Sequence, residues 1–151
     1  MKKYKLVLII IWMIVIFMFS NQPARQSGEL SDNLIDKTIV RVYELFNGKV
    51  SEEQRVEIID KYSYSVRKCA HFTVYFILGI LCFTYFKDFT KHYVIYSILV
   101  CFVYACTDEF HQYFVKGRYA SFFDVTIDTL GGLFSIIISR FIVYKKRKNM
   151  L

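Results

Sequence analysis

The chain has 151 residues, 55% of them hydrophobic and 19% aromatic, with a single proline and a net charge of +7. Its mean hydropathy of +0.33 is outside the range of an ordinary soluble domain. The basic excess gathers beside apolar runs, as it does against an anionic membrane surface, so it does not call for nucleic acid.

Four stretches are long and apolar enough to cross a bilayer: residues 4–20, 70–86, 93–114 and 125–144. Each holds roughly 17 to 22 residues, or about 25 to 33 Å as helix, against a hydrocarbon core of about 30 Å. The first run follows Lys2 and Lys3, as a signal peptide would. Asn21-Gln22-Pro23-Ala24-Arg25 offers no small-x-small cleavage site, so the run is expected to stay as an anchor.

Lys2, Lys3 and Lys5 precede the first span, Lys87 and Lys91 separate the second and third, and Lys145, Lys146, Arg147 and Lys148 follow the fourth. With an even number of spans these groups share one side, which the positive-inside rule makes the cytoplasm, with both termini. The opposite side receives the segment 21–69, where eight Lys/Arg balance eight Asp/Glu, and the short loop around Lys116 and Arg118.

Within the segment 21–69, Leu30, Leu34, Val42, Leu45 and Phe46 recur near helical spacing and Gly48 supplies a stop. An amphipathic helix is expected from about Glu29 to Phe46, lying on the outer leaflet or roofing the spans. Ser51-Glu52-Glu53-Gln54 has the form of a capping box, so a second short helix is expected to about Tyr62. The fold class is therefore an all-α integral membrane protein: one domain over 1–151, four transmembrane helices in a bundle, and an extracellular helical insertion after the first.

Cys69, Cys82, Cys101 and Cys106 lack CxxC spacing and are expected as buried small apolar residues. Arg140, near the inner end of the last span, is expected to snorkel to the interface, and Trp12 to pack or face lipid.

Ionisable groups beside apolar spans are expensive and mark a site. Arg67, His71, Tyr75 and Gly79 follow at four-residue steps, so they form one stripe on the second span. Tyr104, Asp108, His111 and Gln112 share a face of the third, with Glu109 turned by about 100° toward another neighbour. Ser121, Asp124, Asp128, Gly131 or Gly132, Ser135 and Ser139 line the fourth, where small residues allow close helix packing. The span order brings all three polar groups to the outer-leaflet end, joined by Asn21 and Gln22.

Three further roles compete for these residues. Arg67, His71 and Arg118 could instead simply neutralise Asp108, Glu109, Asp124 and Asp128 and lock the helices together, a lesser alternative to a site. A metal is not expected, since HExxH or comparable ligand spacing is missing, and no cofactor is implied. A proton-relay transporter through the intramembrane carboxylates is a weaker alternative.

Phe19-Ser20-Asn21-Gln22, Arg67-Lys68-Cys69-Ala70-His71-Phe72 with Tyr75 and Leu78-Gly79, Asp108 to Phe114, and Gly117-Arg118-Tyr119-Ala120-Ser121 with Asp124, Asp128 and Gly131 together resemble the VanZ-like membrane family. The resemblance runs over about residues 17 to 135; the insertion from Arg25 to Tyr64 carries none of it. It implies a Gram-positive plasma-membrane protein of the cell envelope, its namesake being linked to teicoplanin resistance. It implies no established reaction.

Two functions follow as expectations. In the first, a non-enzymatic outer-leaflet site reduces lipoglycopeptide access to membrane-bound cell-wall precursor. Arg67, Lys68 and Arg118 would meet phosphate or carboxylate, while aromatic-rich spans hold a lipid tail. In the second, a membrane enzyme modifies a lipid-linked substrate, with a carboxylate or His71 as acid or base and the arginines stabilising charge. The candidate residues are Gln22, Arg67, Lys68, His71, Tyr75, Asp108, Glu109, His111, Gln112, Arg118, Ser121, Asp124 and Asp128.

Overall fold

The computed structural model describes residues 2–149, and all regular structure in them is helical. In chain order the elements are α1 (Lys2–Ser20), α2 (Ala24–Ile35), a π-helical segment (Asp36–Val40), α3 (Arg41–Asn47), α4 (Glu52–Phe86), α5 (Tyr93–Gln112) and α6 (Phe122–Lys148). Of these, α1, α4, α5 and α6 are long and apolar enough to cross a membrane.

The segment 24–47 differs from the expectation in extent and in buried face. It starts at Ala24 and runs through the wide π turn into α3, ending as expected at Gly48, whose φ of 83° suits a residue without Cβ. Ile35 and Val40 are fully buried, while Leu45 and Phe46 of the anticipated stripe are each 83% exposed. A π turn adds a residue to the helical repeat and so shifts the phase of everything beyond it.

The capping box at Ser51 forms as expected, Gln54 N donating to Ser51 Oγ at 3.3 Å and Ser51 N to Gln54 Oε1 at 3.1 Å. The helix it starts does not stop near Tyr62: α4 continues unbroken for 35 residues. Between Val50 and Leu78 the sequence has neither glycine nor proline, so nothing ends the backbone ladder where the side chains turn apolar. At 1.5 Å per residue α4 is about 52 Å long, well beyond the hydrocarbon thickness of about 30 Å.

Helix α4 is the common partner, touching α1, α2, the π segment, α5 and α6. Its closest neighbour is α6, through small residues: a Cβ at Gly79 would lie 2.1 Å from Ser135 Oγ and 2.6 Å from Gly132 O. Helix α2 and the π segment run against the first half of α4, tied by Ser63 donating to Asp32 and by Arg55 Nε against Asp36 at 2.8 Å. At the other end of α4, Lys5 of α1 reaches Thr84 O at 3.2 Å and Asp88 at 2.6 Å, setting the start of α1 beside the α4–α5 turn.

Trp12 packs as expected, half-buried, and its indole N–H donates to Val74 O at 2.8 Å. Arg140 is exposed. Of the cysteines, Cys82 and Cys101 are buried and Cys106 partly so, but Cys69 is exposed, because it lies on the side of α4 turned away from the other helices.

Candidate functional site

Polar side chains converge where α1 and α5 end, α6 begins and α4 passes its midpoint. Ser20 Oγ, at the last position of α1, donates to Asp108 Oδ2 at 2.7 Å, and Gln112 Nε2, one turn along α5, donates to the same oxygen at 3.1 Å. Both Asp108 and Gln112 are almost fully buried, at 3% and 4% exposure. Glu109 faces α6: its Oε2 accepts from Ser121 N at 2.9 Å, placing a carboxylate at a helix N-terminus, where the backbone dipole favours it. Ser121 therefore takes part through its backbone, its own side chain forming no cap bond.

The α5–α6 loop turns at Gly117, whose φ is 76°. A residue with a Cβ would be strained there, and the turn sends Arg118 back over the end of α1. Arg118 Nε donates to Gln22 O at 2.9 Å, Nη1 to Gln112 Oε1 at 2.9 Å and Nη2 to Phe19 O at 3.4 Å. All three acceptors are neutral. Burial, and after it the positive charge of Arg67, pull the Arg118 guanidinium below its ordinary pKa, against the opposing pull of Asp108, Glu109 and Asp124.

Arg67 is in a comparable position. It has no ion-pair partner among the described residues, its Nε is buried without a hydrogen bond, and its guanidinium lies beside Gly28 of α2. Neither arginine forms an ion pair with Asp108, Glu109, Asp124 or Asp128, although Asp108, Glu109 and Asp124 lie near enough to act on the charge of Arg118. The pairs that form are Lys68 with Asp124, a direct contact between half-buried side chains, and His71 Nδ1 with Asp128 Oδ1 at 3.5 Å. The latter is longer than a formed hydrogen bond, and both oxygens of the fully buried Asp128 lack donors.

Arg67 and Arg118 line a cleft of about 320 Å³ between α1, α2 and α4. His71, Gln22, Ser20, Ser27 and Ser31 also face it, and the rest of its wall is apolar. Tyr75 lies behind His71, fully buried, its hydroxyl without a partner and its ring 6.2 Å from that of Tyr104. His111 lies apart, its Nε2 3.2 Å from Asn21 Oδ1 and its ring 4.5 Å from Phe17.

The expected site residues therefore divide into three groups. Gln22, Arg67, His71 and Arg118 line the cleft; Tyr75, Asp108, Gln112 and Asp128 are packed close by; Lys68 with Asp124, Glu109 with Ser121, and His111 form separate contacts. Sequence reasoning missed Ser20 as the partner of Asp108 and α2 as a wall of the cleft. The first was signalled by a hydroxyl at the edge of the apolar run, the second by Ser27, Ser31 and Leu34 at helical spacing. No three His, Cys, Asp or Glu side chains among the described residues converge on a metal-sized position.

The VanZ/LLP1 family model matches residues 5–143, which reaches into every helix and takes in every residue of this site. The chain belongs to the VanZ/LLP1 family. With four helices long and apolar enough to span a bilayer, it is a multi-pass membrane protein of that family. No curated protein and no solved structure matches it. The match also covers α2 and α3, so in this VanZ/LLP1 chain the cleft wall supplied by α2 lies inside the family region.

Proposed function

We propose that this protein lies in the plasma membrane of a Gram-positive bacterium with both termini in the cytoplasm. Its cleft then faces the outer leaflet and binds the anionic part of a lipid-linked cell-wall precursor, lowering lipoglycopeptide access to it. Three observations support the reading: the lysines grouped at the other end of the spans, the family, and the cleft. The observation that carries it is the pair of guanidinium groups on that cleft, neither with a carboxylate partner among the described residues. Neither guanidinium forms an ion pair among the described residues, and a phosphate or carboxylate on the cleft would supply one, with bidentate hydrogen bonds.

The test is the inhibitory concentration of teicoplanin against vancomycin in a susceptible Gram-positive host expressing the chain, beside Arg118→Ala at matched abundance. A selective rise for teicoplanin, removed by Arg118→Ala, is the expected result. No change in either drug overturns the resistance role.

One observation favours a second reading, an enzyme acting on a lipid-linked substrate. His71 lines the cleft while its Nδ1 faces Asp128, which leaves the other ring nitrogen for a ligand; such contacts are commonly long before substrate binds. An enzyme predicts that Asp128→Asn abolishes function in abundant protein, whereas a binding site predicts a graded loss smaller than that of Arg67→Ala or Arg118→Ala.

A further inference from the structure

The cleft joins two chemistries. At Arg67 and Arg118 it is cationic; elsewhere its wall is Ile16 and Phe19 of α1, Leu30 and Leu34 of α2, and Val66 and Val74 of α4. Phe19, Leu30 and Leu34 are each about half exposed, at 54%, 46% and 56%, so the apolar wall opens sideways instead of closing into a chamber. A purely ionic ligand would leave that wall unused, and a purely apolar one would bury two guanidinium groups without an anion.

Size and charge narrow the ligand further. About 320 Å³ is near the lower end of the roughly 300 to 1,000 Å³ typical of ligand sites, which suits a head group and the start of one chain. A zwitterionic head would bring its own cation against Arg67 and Arg118, where like charges repel.

We propose that the cleft takes an anionic amphiphile with a single hydrocarbon chain, its phosphate or carboxylate on Arg67 and Arg118 and its chain against the apolar wall, entering sideways from the bilayer. This rests on the lipid-binding reading above and adds the number of chains, the sign of the head group and the route of entry. Phosphate and carboxylate heads share this chemistry, and the probes below separate them.

The chain carries its own reporter. Trp12 is its one tryptophan, and the indole is hydrogen-bonded to the carbonyl of Val74, a residue of the cleft wall. Heavy-atom quenching by a brominated hydrocarbon chain in the cleft should therefore reach it.

The experiment titrates the full chain, purified in a neutral maltoside detergent, with brominated-chain probes: an alkyl phosphate, a fatty acid, a lysophosphocholine and a two-chain phosphatidylglycerol. Expected is saturable quenching of Trp12 by the alkyl phosphate, the fatty acid or both, at concentrations about tenfold or more below those of the other two, equivalent to about 1.4 kcal/mol of discrimination. Arg67→Met should remove that preference while leaving the unliganded emission of Trp12 unchanged, which shows that the variant is folded. Equal binding of the two-chain anionic lipid overturns the single-chain inference and leaves the outer-leaflet site standing. Equal binding of lysophosphocholine overturns the anionic head group. Competition by inorganic phosphate as strong as by alkyl phosphate overturns the role of the chain. No saturable quenching by any anionic probe overturns both this inference and the function proposed above.

Discussion

Toward α5 and α6, the acidic side chains Asp108, Glu109 and Asp124 each reach a donor within the protein: Ser20 and Gln112, the backbone of Ser121, and Lys68. Toward α2, Arg67 and Arg118 reach no carboxylate, although four acidic residues lie on neighbouring helices. Ionisable groups stand on both sides, but apart from Asp128, which faces His71 at 3.5 Å, it is those on the acidic side that are paired among the described residues. Charges that are matched internally hold helices together; charges left unmatched on a cleft are available to something else, and here they are all positive.

The comparison predicts different failures on the two sides. The largest effect belongs to the packed seam beneath the acidic side: Gly79→Leu puts a side chain where even a Cβ would overlap Ser135 and Gly132. Overpacking of this kind costs about 3 kcal/mol or more, so folded protein should nearly vanish from the membrane fraction on immunoblot. Next is Lys68→Ala, which strands the half-buried Asp124 carboxylate. A loss of about 2 kcal/mol is expected, read as a lower midpoint of thermal unfolding in detergent, with Asp124→Asn restoring part of it in the double variant.

The smallest effect on stability, and opposite in sign, is expected for Arg67→Met. It removes a cation with no internal partner and keeps the aliphatic stem, so the unfolding midpoint should hold or rise slightly while anionic-lipid binding is lost. A fall as large as that of Lys68→Ala would place Arg67 among the structural charges and break the comparison.

Much of this was legible in the sequence because it depends on chain order and local chemistry. The four apolar stretches, the Ser51 capping box and the stop at Gly48 are local, and the meeting of the α1, α5 and α6 ends follows from counting spans. Motifs such as Asp108 to Gln112 and Gly117-Arg118 pointed to the family. What was hidden is rotational. Whether Arg67 meets Asp124 or a cleft depends on how α4 is turned against α6 and α2, and the adjacent Lys68 makes that ion pair instead. The stripe beyond α2 was misread for a similar reason, since one π turn between Ile35 and Arg41 resets the phase on which Val42, Leu45 and Phe46 are counted. The continuity of α4 was missed because hydropathy changes near Cys69 while the backbone meets nothing there that ends a helix.

That continuity makes α4 a gauge. Its first half carries the ties to the π segment and α2, Arg55 to Asp36 and Ser63 to Asp32, and its second half carries His71 and the seam with α6. A residue inserted between Arg55 and Ser63 would displace the Arg55 tie by about 100° and 1.5 Å relative to everything after it. One inserted between Ser63 and Arg67 would do the same to both ties at once, swinging the α2 wall off the cleft while the α4–α6 seam stayed closed. The spacing from Arg55 through Ser63 to Arg67 is therefore tuned as a length and an angle together, and the shape of the cleft is set partly by residues that never touch it.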